Sequence, residues 1–165
     1  MESYNMNTTA QIEIVTYNPK YKKPFKDLNI EWISHYFEIE PSDLKALDHP
    51  QEYIIDKGGE IFTAILNDEV LGVCALLKSD NKDFDYELVK MAVSPKAQGK
   101  GIGKLLAQSA IKWAAKKGAS KIYLESSTKL GTAIKLYKKL GFKEIKGVPS
   151  PYKRADIQML LDINS

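Results

Sequence analysis

The stretch Gln98-Gly99-Lys100-Gly101-Ile102-Gly103-Lys104 has the residue types and spacing of an anion-binding turn. It falls between a segment with strand character, 86–93, and one whose helical period starts at Ile102. Three alternating glycines at such a junction let successive backbone N–H groups converge on one anion, and the helix N-terminus adds partial positive charge. A diphosphate suits that environment. The spacing is neither GxGxxG nor GxxxxGK followed by Ser or Thr, which disfavours NAD and ATP. A glycine-rich turn without a ligand is the structural alternative.

Other chemistry is sparsely supplied. Cys74 is the single cysteine, so no intramolecular disulfide is expected, and its place in the apolar run Val70-Leu71-Gly72-Val73-Cys74-Ala75-Leu76-Leu77 marks a buried, inert thiol. With only His35 and His49 beside it there is no zinc-site spacing, and no metal is expected. The formal net charge of +3 hides a segregation of sign. Residues 27–87 carry fifteen acidic residues against four lysines, and residues 96–146 carry thirteen lysines against two glutamates. That pattern suits a polyphosphate on the basic half and an amine near the acidic one; two solvated surfaces would look the same.

These residues need elements to hold them. Alternation over 11–17 predicts a first strand. Residues 24–37 predict a helix with Phe25, Leu28, Trp32 and Tyr36 on one stripe, and Pro41-Ser42-Asp43 opens a short helix to Leu47. Runs at 60–66 and 70–77 form a hairpin across Asn67-Asp68-Glu69, and 86–93 is the next strand, ended at Ser94-Pro95. An amphipathic helix follows, with Ile102, Leu105, Leu106, Ser109, Ala110, Trp113 and Lys117 on its stripe and Gly118 as its stop. After a strand at 121–124, a helix over 131–140 carries Ala133, Leu136, Tyr137 and Leu140, with Gly141 as a left-handed cap and Phe142 packing back on the last turn. Final strands at 142–145 and 155–161 flank a proline-containing loop. The order implies an α/β (α+β) fold, a mixed sheet covered by helices rather than a doubly wound one. Residues 1–10 are expected to be a flexible N-terminus and 11–165 a single domain. No apolar run reaches the roughly 18 residues of a membrane span and the first residues lack signal-peptide character, so the expectation is a cytoplasmic protein with no membrane partner.

The stretch from Glu87 through Met91, Ala92 and Val93 to Pro95, followed by Gln98-Gly99-Lys100-Gly101-Ile102-Gly103, resembles the coenzyme-binding core of GNAT acetyltransferases. That family's pattern of Arg or Gln, two residues, Gly, any residue, then Gly or Ala is met by Gln98, Gly101 and Gly103. The segment Ala133-Ile134-Lys135-Leu136-Tyr137-Lys138-Lys139-Leu140-Gly141-Phe142 is similar to its second signature. The resemblance runs from about Ile12 to Leu161 and is strongest over 87–144. It implies a splayed mixed sheet of six to seven strands with about four helices. In that fold the central strand carries a bulge, and the pantetheine arm of acetyl-CoA enters where two strands diverge.

Carried over by resemblance, the main chain of Met91, Ala92 and Val93 would meet pantetheine and polarise the thioester oxygen. Gln98, Gly99, Lys100, Gly101, Ile102, Gly103 and Lys104 would surround the pyrophosphate. Tyr137 matches a tyrosine that protonates the departing thiolate; its place on an apolar stripe also fits a core tyrosine. Glu87 sits on the central strand where relatives place a base for the amine, and the bland alternative is an outward carboxylate paired with Lys90 or another lysine. Ser127 stands where many members have a coenzyme-contacting asparagine. Glu31, Trp32, His35 and Tyr36 lie in the helical region that shapes the acceptor site in related folds, although a lone His35 also fits a structural role. The implied function is direct transfer of an acetyl group from acetyl-CoA to a primary amine of a small molecule or peptide, in a ternary complex. The acidic half favours a cationic acceptor such as a polyamine, an aminoglycoside or a lysine side chain. The alternative is a regulatory module that binds acetyl-CoA without turnover. The lysine-rich region contains no recognised nucleic-acid motif, so no nucleic-acid partner is expected, and a homodimer is expected because many relatives form one.

Overall fold

Period-2 runs become seven strands, β1 (Glu13–Thr16), β2 (Glu60–Leu66), β3 (Glu69–Lys78), β4 (Tyr86–Val93), β5 (Lys121–Ser126), β6 (Lys143–Ile145) and β7 (Ile157–Asp162). Three- and four-residue spacing becomes α1 (Lys22–Tyr36), α2 (Pro41–Asp48), α3 (Ile102–Lys116) and α4 (Gly131–Lys139). The computed structural model describes residues 11–164, so the expected flexible segment 1–10 lies outside the described residues. Short turns of 3-10 helix at Pro19–Tyr21 and Pro95–Ala97, and of π-helix at Gln51–Ile55, complete the helical elements among them.

One sheet runs in the order β1-β2-β3-β4-β5-β7-β6. Its β4–β5 pair is parallel and the other neighbours are antiparallel, which makes the mixed sheet the element order implies. Alternation along the strands divides the core between two faces. Phe62, Ala64, Cys74, Leu76 and Leu88 pack with Leu106 and Ala110 of α3 and with Ile134 and Tyr137 of α4. Ile61, Val73, Ala75 and Ala92 pack with Phe25 and Ile33 of α1 and Leu47 of α2. The result is three layers. Among the described residues no helix is long and apolar enough to cross a membrane.

Two irregularities in β4 shape the site. Its pairing with β5 covers only Tyr86–Leu88 against Ile122–Leu124, so residues 89–93 face the diverging end of β5 without a ladder partner there. On the other side Val73 pairs Ala92 while Ala75 pairs Val89, leaving Lys90 and Met91 to oppose Cys74. That is a β-bulge, and Lys90 adopts the left-handed φ of 55° within it.

Local expectations needed three corrections. The buried stripe of α1 is Phe25, Asn29 and Ile33, one position away from the expected Leu28, Trp32 and Tyr36, and Tyr36 is 41% exposed. Leu105 of α3 is 37% exposed, because small Ala107, Ala110 and Ala114 take the sheet-facing positions. The β2–β3 hairpin turns on Asn67 and Asp68 alone, with φ of 50° and 66°, and Glu69 already belongs to β3. The end of α4 forms as expected. Gly141 has φ 105°, Phe142 N–H donates to Tyr137 O at 3.0 Å, and Gly141 N–H donates to Lys138 O at 3.1 Å. This double cap lays the Phe142 ring against Tyr137 at a centroid distance of 5.9 Å.

Candidate active site

The glycine turn enters α3 through two left-handed residues, Gly99 at φ 83° and Gly101 at φ 75°, the latter being the N-cap of the helix. A side chain at either would strain the backbone by about 1 kcal/mol or more. The first bond of the helix closes from Leu105 N–H to Gly101 O at 3.1 Å. The N–H groups of Ile102, Gly103 and Lys104 precede it in the first turn, where an α-helix leaves donors unsatisfied for an anion to take.

A cleft of about 710 Å³ joins this turn to the open edge of β4 and to α1. Gln98, Gly99, Gly101, Ile102, Gly103 and Lys104 line its basic end. Met91 and Val93 line the middle, where β4 has parted from β5, and Ser127 closes the β5 side. Glu87 and Tyr137 face the same cavity, and Trp32 and Tyr36 of α1 wall the far end. Four candidates lie elsewhere. Ala92 points into the α1 side of the core, Lys100 and Glu31 are exposed, and His35 lines a neighbouring surface cleft beside Glu38 and Lys153.

Glu87 sits on β4 directly across from Tyr123 of β5. Burial and the nearby Glu125 carboxylate push its pKa up to about 7, with Lys90 opposing them. The ion pair to Lys90, the alternative reading of Glu87, does not form. Lys90 Nζ turns instead to Asp43 Oδ1 at 2.6 Å and to the Tyr152 hydroxyl at 3.0 Å. Glu125 is held by two donors, Tyr123 Oη at 2.7 Å and Ser150 Oγ at 2.6 Å. Of the two carboxyls at the cleft, Glu125 is engaged by two donors and Glu87 is placed to exchange a proton near neutrality.

Tyr137 is buried against Phe142 and the apolar cluster, yet it lines the cleft. Burial pushes its phenol well above the ordinary value, so it stays protonated through the neutral range, the state a proton donor needs. Ser127 Oγ accepts from Lys129 N–H at 3.2 Å, which leaves its own proton free to donate into the cleft. Cys74 is fully buried, with Sγ 3.8 Å from Leu106 O, and burial pushes its thiol far up.

Sequence reasoning missed Phe37, Glu125, Tyr152 and Arg154, all of which line the cleft. A signal for one of them was present. Arg154 is the lone arginine among 24 basic residues, and a planar fork is chosen over lysine where a carboxylate must be held bidentately.

The family model for the acetyltransferase (GNAT) family matches residues 25–142. The chain belongs to this family. It is 38% identical over 104 residues to the uncharacterized N-acetyltransferase YvbK of Bacillus subtilis (strain 168), a match that covers 61% of this chain and 66% of that protein. Other curated relatives are spanned less fully, one of them to 32% of its length. The fold is that of a GNAT-family acetyltransferase from Staphylococcus aureus Mu50, with a TM-score of 0.83 at 24% identity over 93% of this chain and 99% of the other. It is also that of the PaiA N-acetyltransferase of Thermoplasma acidophilum, solved in complex with coenzyme A, with a TM-score of 0.70 at 19% identity over 92% and 99%.

Proposed function

We propose that the protein transfers an acetyl group from acetyl-CoA directly to a primary amine within a ternary complex. The observation that carries this reading is the continuity of the cleft, which joins an anion-binding turn at one end to a carboxyl of near-neutral pKa and a protonated phenol at the other. The diphosphate of the coenzyme would take the N–H groups of residues 98–104, and pantetheine would add to the unpaired edge of β4 at Met91 and Val93. The thioester carbonyl would then lie near the bulge, where main-chain N–H groups can stabilise an oxyanion.

Most of a lysine-like amine is protonated at neutral pH, so the first step is loss of one proton to Glu87, directly or through water. The free amine attacks the thioester carbon and a C–N bond forms. Collapse of the tetrahedral intermediate breaks the C–S bond. Tyr137 gives its proton to the leaving sulfur, the proton then lost by the amide nitrogen restores the phenol through solvent, and Glu87 passes the proton it took to water. No enzyme nucleophile takes part, in keeping with the buried Cys74. Two carboxyls at the cleft and the aromatic wall of Trp32, Tyr36 and Phe37 favour an amine carried on an apolar or cationic body.

Release of free thiol from acetyl-CoA over a panel of polyamines, amino acids, aminoglycosides and lysine peptides tests the reading. Turnover that falls in Glu87→Gln and Tyr137→Phe, with coenzyme A binding retained, is expected. Tight binding of acetyl-CoA with no thiol release on any amine would replace this reading with that of a coenzyme-binding regulator.

A further inference from the structure

Asp43, in the first turn of α2, is fully buried and uses both oxygens fully. Oδ1 accepts from Lys90 Nζ at 2.6 Å and from Arg154 Nη2 at 2.6 Å. Oδ2 accepts from Arg154 Nη1 at 2.9 Å and from the Glu40 backbone N–H at 2.8 Å. Burial by itself would raise this carboxyl, but the hydrogen bonds from Arg154, Lys90 and Glu40 together hold it at about 2, so it is ionised throughout the working range.

The two cations gathered there come from the walls of the cleft. Lys90 is the bulge residue of β4. Arg154 belongs to residues 146–156, a connection without helix or strand that crosses toward α2 between β6 and β7. The guanidinium lies 4.5 Å from the Tyr152 ring centroid and 5.8 Å from that of Phe37, and the Lys90 ammonium lies 4.9 Å from the same Tyr152 ring. Tyr152, Phe37 and Arg154 all line the cleft. Two further carboxylates hold this connection, Glu125 through Ser150 Oγ at 2.6 Å and Glu40 through Lys153 N–H at 3.2 Å. With so little ladder pairing of its own, the segment takes its place from side-chain anchors, Gln158 at Val148 and these carboxylates, and Asp43 is the deepest of them.

We propose that Asp43 is a positioning residue for the acceptor: through Arg154 and Lys90 it fixes the Tyr152 and Phe37 wall of the cleft, and so sets acceptor binding without touching the coenzyme. This rests on the transferase reading above. The coenzyme side keeps its own support, because the bulge is pinned by β3 pairing at Ala92 and Val89 and the glycine turn is pinned by α3. A merely structural Asp43 would weaken both ends of the cleft together.

Asp43→Asn and Arg154→Lys test this in the full chain, with acetyl-CoA and the best amine of the panel. A roughly tenfold rise in acceptor KM with a lowered kcat is expected, because a displaced wall misaligns the amine. Coenzyme A affinity by titration calorimetry should stay within about threefold, since its contacts lie at the other end of the cleft. Trypsin cleavage after Lys153 should accelerate about tenfold, as a released segment samples open states more often. Parallel loss of coenzyme affinity and acceptor binding, or unchanged cleavage after Lys153, would overturn the proposal. If Asp43→Asn does not fold, Arg154→Lys decides, since it keeps the charge and loses only the fork. If the unaltered protein turns over no amine, the transferase reading fails separately, while cleavage after Lys153 and coenzyme affinity still decide whether Asp43 positions this wall.

Discussion

Glu87→Gln should abolish most turnover and at the same time stabilise the fold above neutral pH. Burial on β4 and the Glu125 carboxylate raise the Glu87 pKa from 4.5 to about 7. The folded state therefore holds a proton at pH values where the unfolded chain has released it, so stability is lost as pH rises from about 4.5 through about 7. The 2.5-unit gap between those two values corresponds to about 3 kcal/mol at most. Contact of a half-buried carboxyl with solvent screens this, and about 2 kcal/mol is the expected size. Glutamine cannot ionise. Urea denaturation should find Glu87→Gln about 2 kcal/mol more stable than the unaltered protein at pH 8 and nearly equal to it at pH 4. Thiol-release kinetics should show kcat/KM of the unaltered protein falling about tenfold per pH unit below about 7, and a loss of roughly 100-fold or more in the variant at pH 8. A variant no more stable at pH 8 than at pH 4 relative to its parent, or one retaining turnover with its inflection near 7, would refute the reasoning.

Tyr137→Phe should lower kcat by roughly 10- to 100-fold with little change in coenzyme A affinity, as read by stopped-flow thiol release, because it removes the proposed proton donor and keeps the ring against Phe142. Gly101→Val forces a β-branched residue to φ 75° and should weaken coenzyme A binding about 5- to 30-fold by calorimetry, if the strain of about 1–2 kcal/mol at the N-cap of α3 is expressed in the bound state. Cys74→Ala should retain turnover within about threefold, and the unaltered thiol should react with Ellman's reagent only after denaturant opens the core.

Elements with a strong local signature were legible before any coordinates. The start of α3, the Gly141 cap and the extent of β4 depend on neighbours within a few residues, and the structure has them where the spacing put them. The α1 stripe was misread because polar Asn29 takes a core position by donating to Phe25 O at 3.0 Å, and no hydrophobic count reveals a satisfied polar side chain. The Glu87 environment was illegible for another reason. It depends on the parallel register that sets Glu87 across from Tyr123, and so puts Glu125 nearby, which strands 86–93 and 121–126 establish only after a crossover helix. Arg154 and Asp43 stand 111 residues apart, and their pairing is a property of the assembled fold.

The segregation of charge along the chain also changes meaning once it is folded. Fifteen acidic residues over 27–87 suggest a negative mouth for a cationic acceptor. Many of them are already paired. Asp43 holds Lys90 and Arg154, Glu40 shares Arg154, Asp48 holds Lys26, and Glu69 holds Lys96. Asp85 accepts the N–H groups of Ser120 and Lys121 at the start of β5, far along the sheet from the glycine turn. What remains in the cleft is Glu87, which has no hydrogen bond or ion pair among the described residues, with Glu125 beside it and the Lys129 ammonium over the Phe37 ring at 5.5 Å. On the proposed transferase reading, acceptor charge would be selected by these three groups in the cleft rather than by the field of an acidic half. Exchanging Lys129 or Glu125 should shift preference across the amine panel more than removing any of the paired surface carboxylates.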